Sequence, residues 1–257
     1  MKTLILALAT SSTAFVVPTP LTLRGFSSVS RNASSLHRLQ IFKGLDKAFE
    51  EAGPLGKGIT VGKVQIALTV SANERKSNDS IFGVLEKHAR NNGNNKSYDN
   101  DYEDGYGDSQ LSKMCHEICL ALLRKSDDWI SACSDSEWFK EQDMGKAESV
   151  YNLWADREAC KFEKEYIPPE GMGQAAADGT VAVVSLVIEI QGDETNFDRA
   201  GYSLSETKSI LTSIASDCRV EGGDCLNAFE VFWTPSEPTE VLTERDTIID
   251  FPELITF

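Results

Sequence analysis

Six cysteines and three histidines are the side chains of this chain best suited to bind a soft metal or attack an electrophile. Their densest grouping is Cys115-His116-Glu117-Ile118-Cys119. Successive residues of a helix are about 100° apart, so Cys115 and Cys119 share a face while His116 points elsewhere, and the three do not converge on one ion. Leu111, Met114, Cys115, Ile118 and Leu122 instead form one apolar stripe, in which thiols serve as small hydrophobes. Cys218 and Cys225 are different. They flank Arg219-Val220-Glu221-Gly222-Gly223-Asp224, a loop flexible enough to let them meet, which makes them a candidate redox pair, with an unpaired loop as the alternative. His88 has no His or Cys within a helical turn, and His116 has no evident partner for acid–base work. Asp99, Asp101, Glu103 and Asp104 imitate part of a calcium loop without its terminal Glu or its flanking helix pair. The chain contains no P-loop, Gly-rich dinucleotide turn, nucleophile elbow, HExxH or paired CxxC. The expectation is a protein that is not an enzyme, with no catalytic, cofactor-binding or metal-ligating residues and no cofactor. An enzyme with an unrecognised site is the competing reading.

Charge narrows the partners. The chain carries 25 Lys+Arg and 40 Asp+Glu, net −15. Residues 1–40 hold four basic and no acidic residues, so their removal takes the net charge to −19. A surface of that sign repels phosphate backbones and anionic headgroups, which excludes nucleic acid and leaves membrane association peripheral at most. The N-terminus itself reads as an address. Lys2, the apolar Leu4 to Ala9 and the small residues Thr10 to Ala14 form a signal peptide over 1–14, too short to span a bilayer. Residues 15–40, opened by Phe15 and containing Arg24, Arg31 and Arg38, have transit-peptide composition. The join resembles the bipartite presequence of secondary red-lineage plastids, and a plain secreted protein is the alternative.

The elements that must position any site follow from periodicity. Ile41 to Glu51 reads as a short amphipathic helix that Gly53-Pro54 stops, giving a helix and linker over 41–57. Thr60 to Val70 alternates like a strand, and Ser80 to Ala89 is helical. Residues 91–108, almost all Asn, Asp, Gly and Tyr, lack the apolar surface to offset ordering entropy and read as a disordered insertion. Ser109 to Lys125 is the strongest helix, Asp127 to Ile130 its exit, and Ser136 to Lys164 one or two further helices. Thr180 to Gln191 is a β-branched run of a central strand. Ser203-x-x-Glu206 opens another helix with a capping box, Leu226 to Trp233 is a third strand, and Thr243-x-x-Asp246 starts a last helical turn. The expected fold is α+β: a small mixed or antiparallel sheet of three to four strands, helices packed on one side, and a helical insert.

Three segments, TVGKVQIAL at 60–68, ICLALLRKSDDWI at 118–130 and FEVFWTPSEPTEVLTERDTIIDFPELITF at 229–257, resemble the DUF1517 family of cyanobacteria and plastids. The likeness covers roughly residues 58–257. Glu230, Trp233, Thr234, Pro235, Leu242, Thr243, Phe251, Pro252 and Leu254 carry it most specifically. The resemblance implies a chloroplast membrane-associated protein linked to acclimation of photosynthesis to changing light, with no known catalytic residues. It also marks Trp233, Thr234, Pro235, Phe251 and Pro252 as a candidate interaction motif. A Trp at a strand end followed by Pro has a packing alternative, in which the motif specifies fold. Many relatives carry a transmembrane helix, whereas the longest apolar run here after residue 40, Val181 to Ile190, is too short to span. The expected function is therefore a non-enzymatic protein peripheral to thylakoid or envelope, acting through plastid protein partners, membrane complexes among them. A thiol-regulated soluble stromal adaptor is the alternative.

Overall fold

Four long strands carry the computed structural model, which describes residues 3–4, 9–10, 52–93, 110–161, 164–165, 179–237 and 240–257. They are β1 (Ile59–Val70), β2 (Trp129–Phe139), β3 (Thr180–Gln191) and β4 (Leu226–Thr234). With the two-residue β5 (Ile255–Thr256) they form an antiparallel sheet in the order β4-β3-β1-β2-β5. The dipeptide Ala9–Thr10 pairs along the outside of β4, opposite Phe229 and Ala228, and Thr3–Leu4 pairs in parallel with Lys164–Glu165. In the centre, β1 and β3 run in unbroken register from Ile59 opposite Gln191 to Val70 opposite Thr180. Both are rich in Val, Ile and Thr, which fit a pleated surface covered on both sides, and all of β3 but Gln191 is buried.

Among the described residues five α-helices cover the sheet: α1 (Ile81–Gly93), α2 (Gln110–Arg124), α3 (Met144–Ala159), α4 (Leu204–Asp217) and α5 (Glu244–Asp250). Because side chains alternate along a strand, each face has its own composition. On one face Val64, Ile66 and Leu68 of β1, Val184, Leu186 and Ile188 of β3, and Phe229, Val231 and Trp233 of β4 form one apolar core. It is closed by Ile81 and Leu85 of α1, Ile118 and Leu122 of α2, and Ile210, Leu211 and Ile214 of α4. Gly62 lies on this face without a side chain because the Phe197 ring occupies the place: a Cβ there would lie 2.2 Å from a ring carbon. On the other face α3 packs Ala147, Tyr151 and Ala155 against Ile59, Val61, Val187 and Phe232. Farther along that face Leu242 and Phe251, on either side of α5, pack on Ala67, Val181 and Val183.

Two expectations are corrected. The sheet has five strands in the 58–257 region rather than three to four, because residues 129–139, read as a helix exit and the start of a helical block, form β2. Its Asp135, Ser136 and Glu137 are exposed at the sheet's rim, so β2 lacks the clean apolar alternation of a half-buried strand. The helices also lie on both faces and not one. The other element readings that fall on described residues hold closely, with α3 occupying 144–159 of the expected 136–164 helical block. Ser203 accepts the Glu206 amide at 3.1 Å, and Thr243 and Asp246 form a full reciprocal capping box. The expected helix at 41–51 and most of the insertion, residues 94–108, lie outside the described residues; α1 extends through Gly93. Residues 52–57 belong to the fold, with Leu55 buried and its carbonyl accepting the amides of Asp193 and Glu194. Gly56 (φ 95°) and Gly192 (φ 90°) allow the close approach of the two loops.

Candidate functional site

The face beneath α3 holds the strongest concentration of buried charge. It begins with strand residues that interrupt apolar runs at even spacing: Lys63 and Gln65 of β1, Ser185 and Glu189 of β3, and Glu230 of β4. All are placed on the same side of the sheet by the registers Lys63–Val187, Gln65–Ser185 and Val187–Glu230. Cys133 of β2, opposite Gln65, joins them. Above this row lies Glu158, in the last turn of α3 and 1 % exposed.

Glu158 is fully engaged. Its Oε2 accepts from Gln65 Nε2 at 2.8 Å, and its Oε1 lies 3.3 Å from Lys63 Nζ. Lys161 Nζ, one turn on, reaches both carboxylate oxygens at 3.1 Å. The second Gln65 amide hydrogen goes to Ser185 Oγ at 2.8 Å, while Gln65 Oε1 accepts from the Cys133 thiol at 3.2 Å. Lys161 also pairs with Glu253 and stands 4.9 Å from the centre of the Phe251 ring. One carboxylate therefore ties α3, β1, β3 and the C-terminal segment into a single network. The cost of burying a carboxylate this deeply is offset by the cations and amide donor that surround it.

A second acidic group lies nearby. Tyr151 of α3 donates to Glu230, and Asn227 Nδ2 donates to Glu189 Oε1 at 3.1 Å. Burial pushes both Glu189 and Glu230 above the usual carboxylate range, and the α3 residues Glu148 and Asp156 add to the rise at Glu189 and Glu230 respectively. Burial also raises the Tyr151 phenol, and it pushes the Cys133 thiol up to about 12. At neutral pH Cys133 is a thiol that donates a hydrogen bond, and it has no thiolate character with which to attack. The chemistry available to this cluster is proton uptake and helix clamping.

The residues singled out by type lie elsewhere. His88 is buried on α1 with Nε2 3.1 Å from Glu117 Oε2, and burial lowers its pKa so that it is neutral at pH 7. His116 Nδ1 meets the Ala215 carbonyl at 2.7 Å. The two imidazoles thus tie α2 to α1 and to α4. Cys218 and Cys225 are both buried free thiols. Cys218 points into the core, near the Ser112 and Ala215 carbonyls at 3.8 and 3.6 Å, and its thiol neighbour is Cys115, which also meets Cys119. Hydrogen bonding among these thiols, with burial, raises Cys115. Among the described residues no group of three or more His, Cys, Asp and Glu is placed to hold a metal ion.

Of the motif residues, Trp233, Thr234, Pro235 and Phe251 are buried and Pro252 is exposed. Trp233 fills the α1, α2 and α4 core and Phe251 the base of α5, while the Thr234–Pro235 peptide is cis. These four side chains pack the fold. The residues that sequence reasoning passed over are Lys63, Gln65, Glu158, Lys161 and Glu189, while Glu230 was noted for the resemblance alone. For Lys63, Gln65 and Glu189 the signal was a polar residue on one face of an otherwise apolar strand; Glu158 and Lys161, at the end of α3, gave none.

Comparison with known proteins supplies the family. The model of the family described as "Protein of unknown function (DUF1517)" matches residues 58–257. Protein FLAP1 homolog A of Synechocystis sp. is 24% identical over 217 residues, 76% of this chain and 56% of that protein, so the chain spans little more than half of the relative's length. No solved structure matches. The match covers all four long strands, all five helices and the clamp around Glu158, and the chain belongs to the DUF1517 family.

Proposed function

We propose that this chain is a non-enzymatic accessory of the photosynthetic apparatus, peripheral to a plastid thylakoid or envelope membrane, that acts in acclimation to changing light through protein contacts. Family membership, together with a cyanobacterial relative named for FLAP1, carries this reading. The state of the reactive groups supports it. Cys133, Cys115, His88 and His116 are each engaged with neighbouring protein groups, and Glu158 is neutralised by two lysines. Among the described residues no helix is long and apolar enough to cross a membrane. The test is to express the full chain in Synechocystis lacking its FLAP1 homolog A and to record chlorophyll fluorescence under fluctuating and constant light. Restoration of the fluctuating-light response alone is expected. A chain that accumulates and restores nothing overturns the reading.

One observation favours a second reading, that of a thiol-regulated stromal adaptor: the Cys218 thiol adjoins Cys115. A mild oxidant would then shift gel mobility in the wild type and in Cys225→Ser but not in Cys115→Ser. Unchanged mobility in all three removes it.

A further inference from the structure

Among the described residues nine large hydrophobic side chains stand out as exposed, and five of them, Val241, Ile248, Ile249, Ile255 and Phe257, fall within the last 17 residues. Ile248 and Ile249 lead this group at 70% and 64% exposure. They do not sit on a loose tail. α5 is fixed by its capping box, by buried Thr247 on its inner side and by Leu242 and Phe251 in the core at either end. Its rigid outer surface thus presents two adjacent isoleucines where polar residues would serve solubility better.

The surroundings state what would cover them. Residues 237–257 contain six acidic residues, Glu237, Glu240, Glu244, Asp246, Asp250 and Glu253, against the single base Arg245, net −5; Glu253 is met by Lys161 and Glu240 by Arg75, and Glu244, Asp246 and Asp250 on α5 itself carry the excess beside the isoleucines. Val241 also lines a hollow of about 490 Å³ together with Glu74 and Asp128, of which Glu74 is paired with Lys125. An apolar centre within an acidic rim complements a helix with apolar residues on one face and Lys or Arg on the flanks. A second copy of this chain, net −15, and an anionic membrane are both repelled by that rim.

We propose that the outer surface of α5, with the hollow beside Val241, docks a basic amphipathic helix of a partner protein. This rests on the reading of the chain as a protein that acts through protein contacts, and it gives that partner a chemistry. The apolar face of the helix covers Ile248 and Ile249. Its basic side chains meet the carboxylate rim and the hollow.

The test uses the full chain and a fluorescently labelled synthetic peptide of roughly 18 residues, Leu and Lys at helical spacing. Anisotropy titration is expected to show binding that weakens about tenfold in the Ile248→Ser/Ile249→Ser double variant. It should also weaken in Glu244→Lys and as salt rises from about 50 to about 500 mM. The same peptide with Glu in place of Lys is expected not to bind. Equal affinity for the double variant, equal binding of the Glu peptide, or a mass twice that of the monomer that the double variant halves would each overturn the proposal; so would capture of anionic vesicles that the double variant abolishes. Running the double variant through the Synechocystis assay separates the two claims. Loss of peptide binding with full restoration removes the docking surface and leaves the acclimation role. Peptide binding by a wild-type chain that restores nothing does the reverse.

Discussion

The two faces of one sheet are built on opposite principles. Beneath α1, α2 and α4 the central strands present Val64, Ile66, Leu68, Val184, Leu186, Ile188, Phe229, Val231 and Trp233, and the fit there is one of shape. Beneath α3 the contact is narrow, made by Ala147, Tyr151 and Ala155, and Glu158, Gln65, Lys63 and Lys161 supply the rest. Apolar packing is tolerant of which partner it meets. A buried carboxylate with four hydrogen-bonding contacts accepts one arrangement, so the polar face fixes where α3 sits while the apolar face supplies most of the stability.

The comparison can be broken from the apolar side first. Leu122→Ala, a fully buried side chain between α2 and the sheet, is expected to cost about 3–4 kcal/mol in denaturant unfolding, with α3 still docked in whatever native protein remains. The polar side comes next. Glu158→Ala leaves Gln65 and two lysines facing an empty position, and because Lys63 and Lys161 remain 20% and 22% exposed and can rehydrate, the cost should stay near 2–3 kcal/mol. Its distinguishing mark would be loss of amide-exchange protection confined to α3. Uniform loss across the sheet would show that the two faces are not separate units. A smaller effect tests the motif-bearing end: Thr243→Ala removes the α5 cap and is expected to cost about 1 kcal/mol by the same unfolding measurement.

The smallest effect is one of sign. Glu189 binds its proton more tightly when folded, so the native chain holds more protons than the unfolded one between pH of about 4.5, the unfolded carboxylate value, and the raised folded value. Its contribution favours folding below that window and is lost as pH rises through it. Glu189→Gln, which keeps an acceptor for Asn227, should therefore be more stable than the wild type at pH of about 8, with the gap closing towards pH of about 4.5. Taking the difference between the two proteins at each pH cancels His88 and Glu117, which titrate in both. A gap that widens on acidification would place the Glu189 shift in the wrong direction.

Much of this architecture could be read from the residues. The β-branched run at 180–191 and the Thr243-x-x-Asp246 cap are local signals, and local signals survive folding. β2 was not legible. Ser131, Cys133, Asp135 and Glu137 alternate with residues no more apolar than Ala132 and Ser134 over much of its length, and its pairing with β1 is a tertiary fact. The clamp was hidden for a related reason. Lys63, Gln65 and Glu189 look like the solvated side of a half-exposed strand, and only the placement of α3 over them makes them interior. The cysteines misled in the opposite direction: Cys218 and Cys225 are near in sequence, but the thiol that Cys218 meets is more than a hundred residues away, at Cys115. The motif at 233–235 was readable as a motif, with its packing role among the alternatives, and burial supports that alternative.

The central pairing of β1 with β3 has a kinetic corollary. Ile59 meets Gln191 and Val70 meets Thr180, so the innermost ladder of the sheet closes over more than a hundred residues of intervening chain. Pairings this distant in sequence form late, after the loop-closure entropy has been overcome. A chain delivered N-terminus first through a translocation pore would carry β1 across with β3 still missing from its inner side until residue 191 followed, leaving β2 as the one long strand able to pair with it before then. Truncation before Thr180 is accordingly expected to leave the whole chain open to protease under conditions where the full-length protein is resistant; a protected β1 in the truncated chain would refute this order of events.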